Sequence, residues 1–233
     1  MPGSIMPSDM KPVQIAGFNL PGKDVFHKED QVTETRPRVV VVDCGSSKVP
    51  TIAGVLESLG AKADIISGHQ LPGIVSDLPA ATIISGNPAL ICETGTDFLA
   101  DFDVLRALRL PLLGICFGHQ AIGMLYGAEV SIGKEDRDLR RMEILQGEPL
   151  FSGLSGEDEF QEDHTEEITL PRGFIHLATS SYCFNEAMVH PELPVYGVQF
   201  HPESSGRAGK ALIANFLSIA QDAANSTRSN LSR

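Results

Sequence analysis

The sequence is poor in cysteine, and the cysteines that it has are not arranged to bind zinc. The 233 residues include four cysteines, which are Cys44, Cys92, Cys116 and Cys183. None of them stands in a Cys-x-x-Cys pair, and the histidines do not cluster with them at zinc spacing. The N-terminus has no apolar segment of the kind found in secretory signals, so we expect reduced thiols and a cytoplasmic location.

Positive charge and long hydrophobic runs are also scarce. The chain carries 18 lysines and arginines against 30 aspartates and glutamates, which gives a formal net charge of −12 at pH 7. This charge argues against sequence-independent binding to nucleic acid and against docking on anionic membranes. No apolar run approaches the roughly 18 residues that a membrane-spanning helix needs.

The remaining composition is that of a globular protein with room for one α/β domain and an arm. Residues 1–37 are rich in proline, glycine and charge, and we interpret them as a flexible N-terminal arm. We expect the folded domain over residues 38–222 and a polar tail over residues 223–233. We expect neither a cofactor nor a metal site.

The hydrophobic pattern predicts an α/β fold with a doubly wound, mostly parallel central sheet flanked by helices. Its clearest element is the run of four valines at 39–42, which is typical of a strand buried on both faces. Additional short strands are expected in the C-terminal half. The other predicted strands are 63–66, 81–84, 112–115, 128–132, 139–145, 174–179, 187–189 and 195–199, and the predicted helices are 49–59, 95–109, 120–125 and 207–221.

Two charged segments have open interpretations. The acidic stretch, residues 157–167, contains seven aspartates and glutamates without a lysine or arginine, and a solvated loop is favoured over a surface for a basic partner. Arg137, Arg140 and Arg141 form a small positive cluster that either meets a partner or pairs with the acidic stretch.

The segment around Cys116 has the pattern of a nucleophile on a sharp turn. Gly114 and Gly118 flank the cysteine at the junction between a predicted strand and a predicted helix. In this arrangement the side chain projects above the sheet edge, and the flanking glycines permit close backbone approach. The helix N-terminus favours a thiolate, so the segment predicts a nucleophilic cysteine.

A candidate base lies at the end of the last predicted strand. His201 follows the string Tyr-Gly-Val-Gln-Phe, and Glu203 stands two residues further on. In an open α/β sheet, ligands bind at the carboxyl ends of the strands, where His201 would accept a proton and Glu203 would orient the imidazole. The segment Asp163-His164-Thr165 is the one rival.

A third strand end supplies a turn of Ser85, Gly86, Asn87 and Pro88. Backbone N–H groups of such a turn, with that of Phe117 after the nucleophile, are candidate donors to a developing oxyanion.

These segments, in this order, resemble class I (triad-type) glutamine amidotransferase domains from about residue 38 to residue 220. The resemblance implies a catalytic triad and a binding site for L-glutamine. It assigns Cys116 as nucleophile, His201 as base, Glu203 as the third triad member, Asn87 and Phe117 as oxyanion donors, and Gln120, Thr165 and Glu166 as substrate-binding residues. Three positions depart from the family pattern: Asn87 replaces a glycine, Phe117 stands where leucine or tyrosine is common, and Asp163 stands where serine is usual.

The resemblance implies that glutamine is hydrolysed to glutamate and ammonia through a γ-glutamyl thioester on the cysteine. The ammonia would pass to a separate synthase or synthetase subunit, because no stretch of the chain is left for an acceptor domain. Several segments resemble the separate glutaminase subunit of GMP synthetases, whereas His119-Gln120-Ala121 and Glu203-Ser204-Ser205 resemble anthranilate and aminodeoxychorismate synthase subunits. A free-standing γ-glutamyl hydrolase and a non-catalytic regulatory module are further alternatives.

Overall fold

The computed structural model describes residues 36–147 and 149–231. The predicted N-terminal arm therefore lies outside the described residues, except for its last two positions. Within the described residues the strands are β1 (Arg38–Asp43), β2 (Lys62–Ser67), β3 (Ala81–Ile84), β4 (Leu112–Ile115), β5 (Val130–Asp136), β6 (Leu139–Arg141), β7 (Glu143–Ile144), β8 (Glu159–Gln161), β9 (His164–Ile168), β10 (Ile175–Thr179), β11 (Ala187–Val189) and β12 (Val195–Val198).

The helices of the same residues are α1 (Val49–Ser58), α2 (Ile91–Thr94), α3 (Leu99–Phe102), α4 (Val104–Ala107), α5 (Phe117–Leu125) and α6 (Gly206–Leu231). Three 3₁₀ segments, Gly68–Ser76, Pro149–Phe151 and Pro202–Ser204, connect them. No helix of the described chain is both long and apolar enough to span a membrane.

The central sheet has the strand order β2-β1-β3-β4-β12-β11-β10-β7. The neighbours from β2 to β12 pair in parallel, and those from β12 to β7 pair antiparallel. Two small antiparallel pairs, β5 with β9 and β6 with β8, stand beside this sheet. The predicted α/β architecture, with short extra strands in the C-terminal half, is confirmed.

The four valines of β1 show why the sheet is covered on both faces. Val39 and Val41 belong to an apolar cluster that includes residues of α1 and α6. Val40 and Val42 point the other way, into a second cluster that includes residues of α5. Because side chains alternate along a strand, a continuous apolar run is stable only between two such layers.

The prediction of one helix over residues 95–109 is wrong. Gly95 has a φ of 81° and ends α2, and the Leu99 N–H then bonds to the carbonyl of Thr96, three residues back. The segment therefore forms the separate single turns α3 and α4. The apolar positions were still chosen correctly, because Phe102 and Leu105 are buried against the sheet.

The acidic stretch is not a solvated loop. It forms β8 and β9, and Glu162 and Glu166 are buried. On the exposed side, Arg141 pairs with Glu157 at 2.9 Å and with Glu159 at 3.6 Å. Arg137 also pairs with Asp163, so two members of the arginine cluster pair with the acidic stretch, as one of the two interpretations proposed. Arg140 pairs instead with Asp136 and Asp138, outside the stretch.

The closing helix is longer than the pattern predicted. The expected range was 207–221, but α6 continues to Leu231 through most of the residues assigned to a polar tail. Helix backbone bonds do not require an apolar face, so hydrophobic periodicity does not predict a polar continuation of a helix.

Candidate active site

Parallel strands bring the candidate catalytic segments to one edge of the sheet. Ile84 of β3 is the register partner of Gly114 of β4, and Ile115 is the partner of Val198 of β12. Because the three strands run in the same direction, the turn after β3, Cys116 after β4 and His201 after β12 all follow the same carboxyl edge. The loop after β1 begins at this edge as well, because β1 is parallel to β3.

Cys116 has an unusual backbone conformation. Its backbone angles are φ 53° and ψ −107°. Among the described residues, it is the only non-glycine residue with a positive φ. It is the N-cap of α5, and its carbonyl accepts the Gln120 N–H at 3.0 Å. Such a conformation costs on the order of 1–3 kcal/mol, and it turns the thiol away from the strand toward the sheet edge.

Two glycines make this turn possible by allowing backbones to touch. A Cβ on Gly114 would lie 2.4 Å from the carbonyl carbon and oxygen of Gly118. A Cβ on Gly118 would lie 2.4 Å from the carbonyl oxygen of Ile84. Any side chain at either position would therefore push α5 away from β3 and β4.

His201 is buried and bonded to a carboxylate. Its Nδ1 lies 2.7 Å from Oε1 of Glu203, and the side chains are 3% and 1% exposed. The His201 N–H also donates to Gln161 of β8 at 2.8 Å, which fixes the strand end. Burial lowers the pKa of His201, but the adjacent Cys116 and Glu203 outweigh it and raise the pKa to about 10.

Gly86 shows how closely the cysteine and the histidine approach. A Cβ built on Gly86 would lie 3.2 Å from Cε1 of His201 and 3.8 Å from Cβ of Cys116. The turn after β3 therefore lies against both side chains, and a side chain at position 86 would press on the imidazole beside the thiol.

The two predicted oxyanion donors border the same turn. Asn87 lines the cavity, and Phe117 is the first residue of α5, whose N–H has no acceptor within the helix. The Oδ1 of Asn87 accepts the Ala89 N–H at 2.8 Å, and its φ is not positive. Asparagine thus replaces the family's glycine without backbone strain. The role of both N–H groups stays a prediction.

A cavity of about 390 Å³ opens above Cys116 and His201. Gln120, Thr165 and Glu166, the predicted substrate-binding residues, all line it. This volume is within the usual range for small-molecule sites. No group of three or more histidine, cysteine or acidic side chains among the described residues is arranged to hold a metal ion.

Gln120 and Glu166 already have partners within the protein. Gln120 Nε2 donates to the carbonyl oxygen of Glu166 at 2.9 Å and to Oε1 of Gln199 at 3.2 Å. The carboxylate of Glu166 accepts the N–H groups of Ile91 and Cys92, both at 2.7 Å, and so caps α2. Both side chains hold the cavity wall in place.

His164, the rival base, lies in the same cavity wall. Its Nδ1 is 3.1 Å from the carbonyl oxygen of Glu166, and its Nε2 is 3.4 Å from the carboxylate of Glu162. Burial raises the pKa of Glu162 and outweighs the opposing effect of His164. Glu162 is a buried acid that sequence reasoning missed, because it was counted as part of a solvated surface.

Sequence reasoning also missed the charged rim of the cavity. Lys48, Arg137 and Asp163 all line it, and Asp163 pairs with both cations. Arg137 was noted only as part of a charge cluster, and nothing in the sequence singled out Lys48. The residues come from three separate loops, so no local pattern relates them.

Comparisons with known proteins agree with this geometry. The family model of glutamine amidotransferase class-I matches residues 40–220. A glutamine-hydrolyzing GMP synthase subunit of Methanosarcina barkeri is 40% identical over 155 residues, which cover 64% of this chain and 77% of that protein. The GMP synthase subunit of the same name from Pyrococcus furiosus is 38% identical over 189 residues, 78% of this chain and 97% of the relative.

A solved structure of similar fold is also that of a protein named as a GMP synthase subunit. The crystal structure of a protein assigned as a GMP synthase subunit from Thermoplasma acidophilum superposes with a TM-score of 0.77 at 28% sequence identity. The superposition covers 83% of this chain and 98% of that one.

Proposed function

The chain belongs to the class-I glutamine amidotransferase family, and on this premise we propose that it hydrolyses L-glutamine with Cys116, His201 and Glu203 as catalytic residues. The observation that carries the proposal is their arrangement beneath one cavity: a cysteine on a strained turn beside a buried histidine that is bonded to a carboxylate. A nucleophile, a base and an orienting group are the parts that covalent amide hydrolysis needs.

In the proposed mechanism the thiolate of Cys116 attacks the side-chain amide carbon of glutamine. The N–H groups of Asn87 and Phe117 stabilise the oxyanion, and His201 delivers its proton to the leaving nitrogen, so that ammonia departs. Glu203 holds Nδ1, which leaves Nε2 for the reacting groups. His201 then takes a proton from water, which attacks the γ-glutamyl thioester, so that glutamate leaves and the thiolate of Cys116 is restored.

The ammonia goes to a separate synthase subunit, and we favour GMP synthesis as the acceptor reaction. Support comes from the two relatives above, both named as glutamine-hydrolyzing GMP synthase subunits and matched over most of their length. The resemblance of some segments to chorismate-using enzymes gives the alternative acceptor reaction, anthranilate or aminodeoxychorismate synthesis. The compartment that we propose is the cytoplasm.

Cys116→Ala tests the chemistry. We expect glutaminase activity to fall by about a thousandfold or more while the thermal unfolding midpoint stays near that of the wild type. The matched control is Cys92→Ala, which removes an exposed thiol outside the cavity and should keep its activity. A glutamine-derived diazoketone should modify Cys116 and no other cysteine, as read by peptide mass spectrometry.

The glutaminase assay and the diazoketone modification are each made with and without the partner recovered from source lysate. An ATP-pyrophosphatase partner and GMP formation from glutamine support the proposal, and a chorismate-using partner contradicts the GMP assignment. Full activity of Cys116→Ala contradicts the proposed mechanism.

A further inference from the structure

The backbone of His201, the proposed base, forms an isolated antiparallel bridge with Gln161 at the end of β8. In a regular hydrogen-bonded pair of this kind, the two residues exchange two direct N–H···O bonds. One of the two bonds is direct here, because the His201 N–H donates to the carbonyl oxygen of Gln161 at 2.8 Å. The return connection, from the Gln161 N–H to the His201 carbonyl, passes through a side chain.

Ser205 supplies this side chain. The Gln161 N–H donates to Oγ of Ser205 at 2.9 Å, and the hydroxyl donates to the carbonyl oxygen of His201 at 2.6 Å. Ser205 and His201 are both buried, so these bonds are shielded from water. The hydroxyl therefore completes a closed ring of three hydrogen bonds, from His201 to Gln161, on to Ser205 and back to His201.

The hydroxyl of Ser205 bonds outside the helix that it precedes. Ser205 comes directly before α6, and its carbonyl oxygen accepts the Gly209 N–H at 3.3 Å. A serine at the start of a helix commonly uses its Oγ to accept an N–H group of the first helical turn. Here the Oγ bonds instead to β8 and to the strand end that carries the base. Its bonds therefore favour a role in the site over helix capping.

The turn that contains Ser205 is packed against α6. A Cβ on Gly209 would lie 1.7 Å from the carbonyl oxygen of Pro202 and 2.8 Å from Cβ of Ser205, so the helix backbone lies directly against the turn. Glu203 of the same turn bonds to Nδ1 of His201 at 2.7 Å. The turn therefore holds the histidine twice, through a carboxylate at its imidazole and through a hydroxyl at its backbone.

The end of β8 also contacts the nucleophile. The main-chain oxygen of Asp163, two residues after Gln161, lies 3.8 Å from Sγ of Cys116. Gln161 is itself anchored, because its Nε2 donates to two main-chain oxygens, both at 2.8 Å. One segment thus contacts both the thiol and the backbone of the base. The spacing between this segment and His201 therefore helps to set the distance from the imidazole to the thiol.

We propose that Ser205 is a positioning residue for the base, and that its hydroxyl within the bridge between His201 and Gln161 keeps the imidazole aligned with Cys116. The inference rests on the proposed glutaminase function and adds a residue to it. Without the hydroxyl, the Gln161 N–H either closes directly on the His201 carbonyl, as in a regular pair, or stays unpaired in a buried place. Either change displaces or loosens His201, and a displacement of about 1 Å can lower a rate by about a hundredfold.

Ser205→Ala, assayed with the partner present, tests the proposal. The kcat for glutamine should fall about tenfold to a hundredfold with KM within about threefold, because the cavity is unchanged and proton transfer by His201 is impaired. The matched control is Ser204→Ala, which removes the exposed neighbouring hydroxyl and should keep the wild-type kcat and KM.

Conservative variants test whether the hydroxyl itself is needed. Ser205→Thr keeps a hydroxyl on the same Cβ, so its kcat should be within about threefold of the wild-type value. If the added methyl group prevents folding, Ser205→Cys takes its place. Its thiol is a weak donor, so its kcat should lie between those of Ser205→Ala and the wild type. A threonine or cysteine variant that folds but is no more active than Ser205→Ala contradicts the proposal.

A second substrate separates positioning from a general loss of structure. The thiolate of Cys116 displaces methanethiolate from the γ-thiomethyl ester of glutamate and forms the same γ-glutamyl thioester, but this leaving group departs without a proton from His201. After subtraction of the rate with Cys116→Ala, kcat/KM for the ester should fall no more than about threefold in Ser205→Ala, against at least about tenfold for glutamine. Equal losses for the two substrates overturn the inference, because they indicate only less active protein.

The outcomes for the two levels of proposal are distinct. If the wild type hydrolyses glutamine, Cys116→Ala does not, and Ser205→Ala matches the wild type, the positioning inference fails and the glutaminase proposal stands. If the wild type does not hydrolyse glutamine with the partner present, both fail. A loss in Ser205→Ala that is specific to glutamine and that the threonine or cysteine variant reverses supports the inference.

Discussion

At the scale of single residues, the contacts of His201 with Cys116 and Glu203 link catalysis to stability. The pKa of His201 rises from the ordinary 6.5 to about 10 in the folded protein. A raised folded pKa stabilises the native state fully below pH 6.5, and this contribution is lost as the pH rises from 6.5 to 10. The corresponding slope is up to about 1.4 kcal/mol per pH unit for one proton.

Glu203→Gln should therefore flatten the pH dependence of unfolding. Removal of the carboxylate lowers the pKa of His201, so the difference in unfolding free energy between wild type and variant should shrink as the pH rises from 6.5 to 10. Urea denaturation at several pH values measures it, and glutaminase activity should fall by about 10²–10⁴. The control, Glu57→Gln on the exposed face of α1, should keep the wild-type slope. A parallel pair of curves for wild type and Glu203→Gln contradicts the role of this carboxylate.

Candidate site residues that stand in short local motifs could be predicted from the sequence. Residues that contact each other only through the tertiary fold could not. Cys116 and His201 each stand at the end of an apolar strand, so a pattern in a short window indicates them. Lys48 and Asp163 meet although 115 positions separate them, and no window contains both. Glu166 was expected in the site, but its capping of α2 depends on the tertiary fold.

At the scale of elements, the packing of α5 against β3 and β4 sets the position of the nucleophile. Gly118→Ala should destabilise the fold by about 1–3 kcal/mol or more, because the new methyl group would overlap the carbonyl oxygen of Ile84 in a packed region. Displacement of α5 moves Cys116, so activity should fall even at temperatures where the variant remains folded. Thermal unfolding and glutaminase assays measure the two effects.

Gly54→Ala is the matched control for this substitution. Gly54 lies within α1 with open space around it, so the same change should stabilise the protein by about 0.5–1 kcal/mol and leave activity unchanged. Destabilisation by both substitutions would mean that an added methyl group is unfavourable on either helix for a reason other than the contact with Ile84. A Gly118→Ala variant with normal stability and activity would contradict the contact itself.

Helices and strands were predictable where their burial produces a periodic hydrophobic pattern in the sequence. They were not predictable where a single contact or backbone angle decides the structure. The valine run of β1 and the apolar face of α6 follow from packing on the two layers, and both were predicted. The break at Gly95 and the burial of Glu162 depend on one backbone angle and on one long-range environment. Hydrophobic periodicity does not contain this information, so the 95–109 helix was wrong and β8 and β9 were missed.

At the scale of the whole molecule, the acidic stretch contributes to the net charge of −12 but is not a free acidic surface. Part of the acidic stretch is buried, and much of the rest pairs within the chain: Glu157 and Glu159 with Arg141, and Asp158 with Arg207. In the proposed reaction, ammonia is released in the cavity at the carboxyl edge of the sheet. Ammonia that escapes into water becomes ammonium, which is not a nucleophile.

Isotope competition tests whether the ammonia reaches the partner without passing through bulk solvent. The reconstituted complex is supplied with glutamine labelled with ¹⁵N in its amide and with an excess of unlabelled ammonium chloride. We expect the product to carry mostly ¹⁵N, because a partner that covers the cavity mouth receives ammonia before it mixes with the pool. The complex with Cys116→Ala is the control: it should form product only from added ammonium, at high concentration, and without label. A wild-type product whose label falls in proportion to the free ammonium would mean that the chain hydrolyses glutamine without directing the ammonia.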